Sequence, residues 1–163
     1  DQSYWMTANL LKVLTQLNIP KDLIAFNLLD GAEEIDAFVD LDGTLLMFEL
    51  KGSRFSMGHA YPFSGRIGLY KPDLAIIVST DGVAPEVKDY FERVKPDAEI
   101  VYVDRLDELA SKLGEMARRV RSTKARQILL RFEPLATVMM PFTNMMAAKI
   151  GIEFDQHLSR RLR

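Results

Sequence analysis

The spacing of hydrophobic and polar positions changes several times along the chain, and each change marks an element. In "YWMTANLLKVLTQL" the apolar residues recur at helical spacing and stop before Pro20, which predicts a helix over Tyr4–Leu17. "DLIAFNLL" reads as a short strand closing on Asp30-Gly31. "EIDAFVDL" alternates, with Ile35, Ala37, Val39 and Leu41 on one face and Asp36, Phe38 and Asp40 on the other. Asp42-Gly43 is a two-residue hairpin signal, and "TLLMFELK" is the return strand, apolar enough to be buried on both faces. Gly, Ser, Pro and His punctuate residues 52–65, so the next helix is predicted only near Phe63–Tyr70. "DLAIIVST" is a further buried strand, "APEVKDYFERV" a helix opened by proline, "EIVYV" a strand and "RLDELASKLGEMARRVR" an amphipathic helix. The order up to Thr80 is helix, three strands, helix, strand, an α/β layout whose sheet is mixed and has an antiparallel hairpin at its centre, flanked by helices.

At 163 residues and 48% hydrophobic, the chain suits one main domain with an appendage. The division expected is a domain over 1–121 and an extension over 122–163. No apolar run is long enough for a bilayer and nothing resembles a secretory leader, so the expected setting is the cytoplasm with no membrane contact. The absence of cysteine removes disulfides, thiolate metal sites and cysteine nucleophiles together. The start at Asp1 leaves flanking domains open.

Charge is unevenly spread. From Arg118 to Arg163 ten Lys and Arg stand against three acids, an excess of about seven, which leaves about −9 on the rest of a chain of net charge −2. Such a basic tail on an acidic body suits a nucleic-acid backbone, with Arg118, Arg119 and Arg121 as candidate contacts, or else is a solvated helix face. "LATVMMPFTNMMAAKIGI" holds four of the eight methionines and reads as helical core or adaptable apolar surface, with a homodimer contact as its next use.

The candidate chemistry follows from hairpin register. If Asp42 and Gly43 are the two turn residues, Leu41 faces Thr44, and counting back sets Asp36 opposite Glu49 and Glu34 opposite Lys51. Two carboxylates so placed repel each other and call for a cation between them. A hard divalent ion suits such oxygen ligands, Mg²⁺ first and Mn²⁺ as its substitute. Lys51, beside that pocket, can orient water or stabilise developing charge, which points to hydrolysis of a phosphodiester. The bland reading makes Lys51 a plain salt-bridge partner of Glu34 or Glu49.

The stretch "EIDAFVDLDGTLLMFELKG" resembles the PD-(D/E)XK, or restriction-endonuclease-like, nuclease superfamily, whose pattern is an acid on one strand and Glu or Asp, any residue and Lys closing the next. The resemblance spans roughly Leu23–Thr80. It implies a metal-dependent nuclease acting most naturally on DNA, with Asp36, Glu49 and Lys51 as catalytic residues and Asp36, Glu49 and the Leu50 carbonyl as metal ligands. Many members carry a further acid on the first helix, and none lies between Tyr4 and Leu17. Arg66 and His59, in the segment after the motif, are candidates for a phosphate contact and a base respectively. Two other readings compete. "FVDLDGTLL" also looks like the first motif of haloacid-dehalogenase-type phosphatases, with Asp40 as nucleophile, Asp42 as acid/base and Ser79 or Thr80 binding phosphate. Alternatively, the domain is a non-catalytic nucleic-acid-binding or assembly module of the nuclease fold.

Overall fold

A computed structural model describes residues 4–31 and 33–131 of the protein. Contacts divide the chain into Asp1–Ala117 and Arg118–Arg163, and the first unit contains every strand among the described residues. In chain order the elements are α1 (Tyr4–Gln16), β1 (Ile24–Asp30), β2 (Glu33–Leu41), β3 (Thr44–Lys51), α2 (Met57–Tyr70), β4 (Leu74–Ser79), α3 (Pro85–Val94), β5 (Glu99–Val103) and α4 (Leu109–Arg131), with single 3₁₀ turns at Lys21–Leu23 and Leu106–Glu108. No described helix is long and apolar enough to cross a membrane. The Met-rich segment, expected to be helical and to make a dimer contact, lies outside the described residues.

The five strands form one mixed sheet in the order β1-β2-β3-β4-β5. β1, β2 and β3 pair antiparallel, and β3, β4 and β5 pair parallel. A tight hairpin joins antiparallel strands and a helical crossover joins parallel ones, so each connection follows from its length. The β2–β3 turn is Asp42-Gly43, both with positive φ (53° and 78°), as a primed hairpin turn requires. Its pairs run Leu41–Thr44, Asp40–Leu45, Val39–Leu46, Phe38–Met47 and Ala37–Phe48, the register expected from the turn. There the ladder ends.

β3 and β4 are the sheet's buried centre. β4 is buried along its whole length, and β3 from Leu46 to Leu50. On one face Met47, Ala75 and Ile77 pack with Ala60, Phe63 and Ile67 of α2 and Val87 and Phe91 of α3. By the pleat, Leu46, Phe48, Ile76 and Val78 point the other way, and Met6, Leu10, Val13 and Leu14 of α1 and Leu109 and Leu113 of α4 are buried outside the first cluster.

Several helix ends differ from the expected ones. α1 stops at Gln16 because Asn18 takes the left-handed conformation (φ 56°). The Asn18 amide then donates to the Thr15 carbonyl (3.0 Å) and the Ile19 amide to Leu14 (3.1 Å), a Schellman closure just before Pro20. α2 begins at Met57, six residues earlier than expected, and carries Pro62 inside it. Ser56 caps it with His59 in reciprocal bonds, so a histidine takes the place usually held by Glu or Gln. Burial of Ala60, Phe63 and Ile67 offsets the bond lost at Pro62. α4 continues past Arg121 to Arg131.

Gly43→Ala places a Cβ on a left-handed residue of the turn that sets the register. The expected loss is about 1–2 kcal/mol, read as a lower denaturant midpoint at unchanged slope.

Candidate functional site

Glu49 is the third-last residue of β3 and is only 4% exposed. A buried carboxylate needs counter-charge, and two cations supply it. Lys51, two residues on and so on the same face of the strand, sets Nζ 3.2 Å from Glu49 Oε1. Arg66 of α2 sets Nη2 2.8 Å from Oε2 and donates through Nη1 to the Glu34 carbonyl on β2. The reach of Arg66 follows from helical spacing. Phe63, one turn earlier, is locked in the core, and the guanidinium carbon lies 5.8 Å from the centre of its ring. One turn later Tyr70 touches Phe38 edge-on (5.6 Å) and donates to Asp30 (2.7 Å), which holds that side of α2 against β1 and β2. Arg66, the candidate phosphate contact, is an ion-pair partner of Glu49 with 11% of its side chain exposed.

Asp36 stands where the β2–β3 ladder stops. Continued regularly, the Leu50 amide would bond the Ile35 carbonyl; it donates instead to Asp36 Oδ2 at 2.6 Å. Asp36 is thus tied to the residue between Glu49 and Lys51. Lys51 presents its backbone to β4, where its carbonyl accepts from the Thr80 amide (3.1 Å). Adjacent residues of a strand point their amide and carbonyl to opposite edges, so the Leu50 carbonyl lies on the β2 edge of β3. The expected cross-strand pairing of Lys51 with Glu34 is not formed. The ladder ends before it, Lys51 turns to Glu49, and the Glu34 carbonyl accepts from Arg66.

The electrostatics agree with this grouping. Burial, and then the Glu49 charge, push the Asp36 carboxyl up from 3.8 to about 6, against the opposing pull of the Leu50 amide, Lys51 and Arg66. His59 is close enough to Lys51 for the ammonium, after burial, to hold the imidazole below its usual value. Its Nδ1 accepts from the Ser56 amide at 3.1 Å, which puts the ring proton of the neutral form on Nε2. No group of three or more His, Cys, Asp or Glu suited to a metal occurs among the described residues. The carboxylates brought near each other at this point are those of Asp36 and Glu49.

The phosphatase residues are not brought together. Asp40 is opposite Leu45 at the turn end of β3, and its carboxylate accepts from the Gly43 amide (2.7 Å). Ser79 is opposite Lys51 at the other end, six residues away or roughly 20 Å along the strand. The Ser79 hydroxyl is buried between the Ser53 and Gly82 carbonyls (2.7 and 3.0 Å). "DLDG" is therefore a hairpin turn. Arg118, Arg119 and Arg121 are exposed on α4, within the second unit.

No protein-family model matches the chain, and no curated protein does. Solved structures similar to it include two of low identity. A repair endonuclease from Pyrococcus abyssi aligns over 50% of this chain and 37% of its own at 16% identity, with a TM-score of 0.41. The protein VC1899 from Vibrio cholerae aligns over 70% of this chain and 33% of its own at 15% identity, with a TM-score of 0.50. The chain thus spans about a third of the length of each. At such identities a likeness concerns the fold alone, and a TM-score of 0.41 does not carry even that.

Because the folded protein holds Asp36 protonated to higher pH than the unfolded chain does, it binds the extra proton between about pH 4 and about pH 6. The Asp36 contribution to stability is therefore present below about pH 4 and lost as pH rises through about 6. Subtracting the pH–stability curve of Asp36→Asn from that of the parent, in the absence of divalent metal, is expected to show this fall. A flat difference would place Asp36 away from Glu49 and in water.

Proposed function

We propose that this domain is a metal-dependent nuclease that hydrolyses phosphodiester bonds, with DNA as its substrate. The observation that carries the reading is the tie between Asp36 and the Leu50 amide. It fixes one carboxylate beside a second, Glu49, at the end of a buried strand, with Lys51 on the same face. Two carboxylates and a peptide carbonyl form a hard oxygen donor set that suits Mg²⁺ or Mn²⁺, and Asp36, Glu49 and Leu50 are the residues that would hold the ion. Such an ion supplies neutralisation of phosphate charge and activation of water.

The chain's own groups fit the remaining roles. Lys51 keeps a third of its side chain exposed, so its ammonium reaches solvent from a rigid strand end and can orient water or meet negative charge developing on a phosphate. Arg66 fixes Glu49 from the helix side. Arg118, Arg119 and Arg121 offer backbone contacts that would add affinity without reading sequence.

Glu49→Gln, which keeps volume and removes charge, is expected to lower Mg²⁺-dependent cleavage of DNA at least about a hundredfold. Asp40→Asn, at the far end of the hairpin, should leave it within about twofold. Loss in the Asp40 variant alone would favour phosphatase chemistry. A parent protein that binds DNA and cleaves nothing would favour the non-catalytic module. Neutralising Arg118, Arg119 and Arg121 together is expected to reduce the slope of log K against log salt for duplex DNA by about 2–3, at about 0.9 per contact. An unchanged slope would assign the three arginines elsewhere.

A further inference from the structure

Glu49 is held by two cations from different elements. Lys51 arrives along the strand and takes Oε1, while Arg66 arrives from α2 and takes Oε2 at 2.8 Å, with both members of that second pair almost wholly buried. Asp36 feels these same three charges, Glu49, Lys51 and Arg66. The four side chains therefore form one electrostatic unit of two carboxylates, one ammonium and one guanidinium, whose formal charges cancel. Lys51 and Arg66 oppose, within the protein, the repulsion between the carboxylates.

Resting on the nuclease reading, we infer that Arg66 is a resident counter-cation, so that divalent metal and substrate phosphate bind this site together rather than independently. A divalent ion entering alone would raise a neutral cluster to +2 beside a buried guanidinium. A phosphodiester entering alone would meet two carboxylates. Together, the ion and the two nearest phosphates restore neutrality, so each is held better when the other is present. Thermodynamic linkage makes this coupling reciprocal. Arg66 acts in this scheme through Glu49 and is a positioning residue. Arg66→Gln removes its charge while keeping a polar side chain, and Arg66→Lys keeps the charge and loses the fork that reaches both Glu49 and the Glu34 carbonyl.

The test is a Mn²⁺ titration followed by electron paramagnetic resonance, with and without a duplex oligonucleotide whose phosphorothioate linkages keep their charge and resist hydrolysis. In the parent the oligonucleotide is expected to tighten Mn²⁺ binding at least about tenfold. Arg66→Gln, checked for folding by circular dichroism, should bind Mn²⁺ more tightly than the parent without oligonucleotide and show a smaller ratio. Arg66→Lys should keep the parent's ratio. Measurable Mn²⁺ binding with a ratio near one in the parent, or a folded Arg66→Gln protein matching the parent in both conditions, overturns the inference and leaves the nuclease reading in place. If Arg66→Gln does not fold, the ratios of the parent and of Arg66→Lys decide. No Mn²⁺ binding in either condition, with no cleavage of DNA, overturns both.

Discussion

The constraint on which the site depends is the burial of one charge. Glu49 lies in one of the two buried central strands of the sheet with 4% of its surface exposed, and moving a carboxylate out of water costs several kcal/mol unless opposite charge and hydrogen bonds compensate. Neighbouring elements meet that demand. β3 supplies Lys51 two residues further on, and α2 supplies Arg66 from across the face. Well-packed apolar residues would stabilise such a strand end at least as well, so the ion pairs are weak evidence of stabilisation and stronger evidence of a use for the charge.

The same demand explains the position of α2. Arg66 reaches Glu49 only because Phe63 is fixed in the core one turn before it and Tyr70 is fixed to Phe38 and Asp30 one turn after it. Its guanidinium also accepts the task of satisfying the Glu34 carbonyl, a backbone group on β2 beyond the last β2–β3 pair. One side chain thus joins a helix and two strands at the point where the sheet's own hydrogen bonding stops. That is why α2 must begin as early as Met57, in spite of the proline inside it: the cap made by Ser56 and His59 places the first turn so that positions 63, 66 and 70 share the inward face.

Much of this was legible from pattern. Alternation in "EIDAFVDL", the apolar run in "TLLMFELK" and the Asp-Gly pair are local signals, and local physics decides them: side-chain period and the positive φ of the turn. The start of α2 was not legible, because Gly58, His59 and Pro62 are punctuation in most contexts and only burial of their neighbours makes them helical. Nor was the end of the β2–β3 ladder. A side chain that takes the place of a backbone carbonyl leaves no trace in hydrophobic period, and Asp36 reads the same whether it faces water or the Leu50 amide. The role of Arg66 depends on a tertiary contact across 17 residues of sequence, which no spacing rule announces.

Register is what transmits the local signal to the site. The turn at Asp42-Gly43 lies six residues from Asp36 on one side and from Glu49 on the other, roughly 20 Å along the strands. A slip of one residue would carry Asp36 to the face occupied by Val39 and Leu41, break the burial of that face and leave Glu49 beside apolar side chains. The core therefore enforces the approach of the two carboxylates just beyond the last pair: Val39 and Leu46, Ala37 and Phe48 are all fully buried opposite one another, and they can remain so in only one register. The grouping of charges at one end of the hairpin is in this sense set by a glycine at the other, with packed side chains between them to carry the constraint.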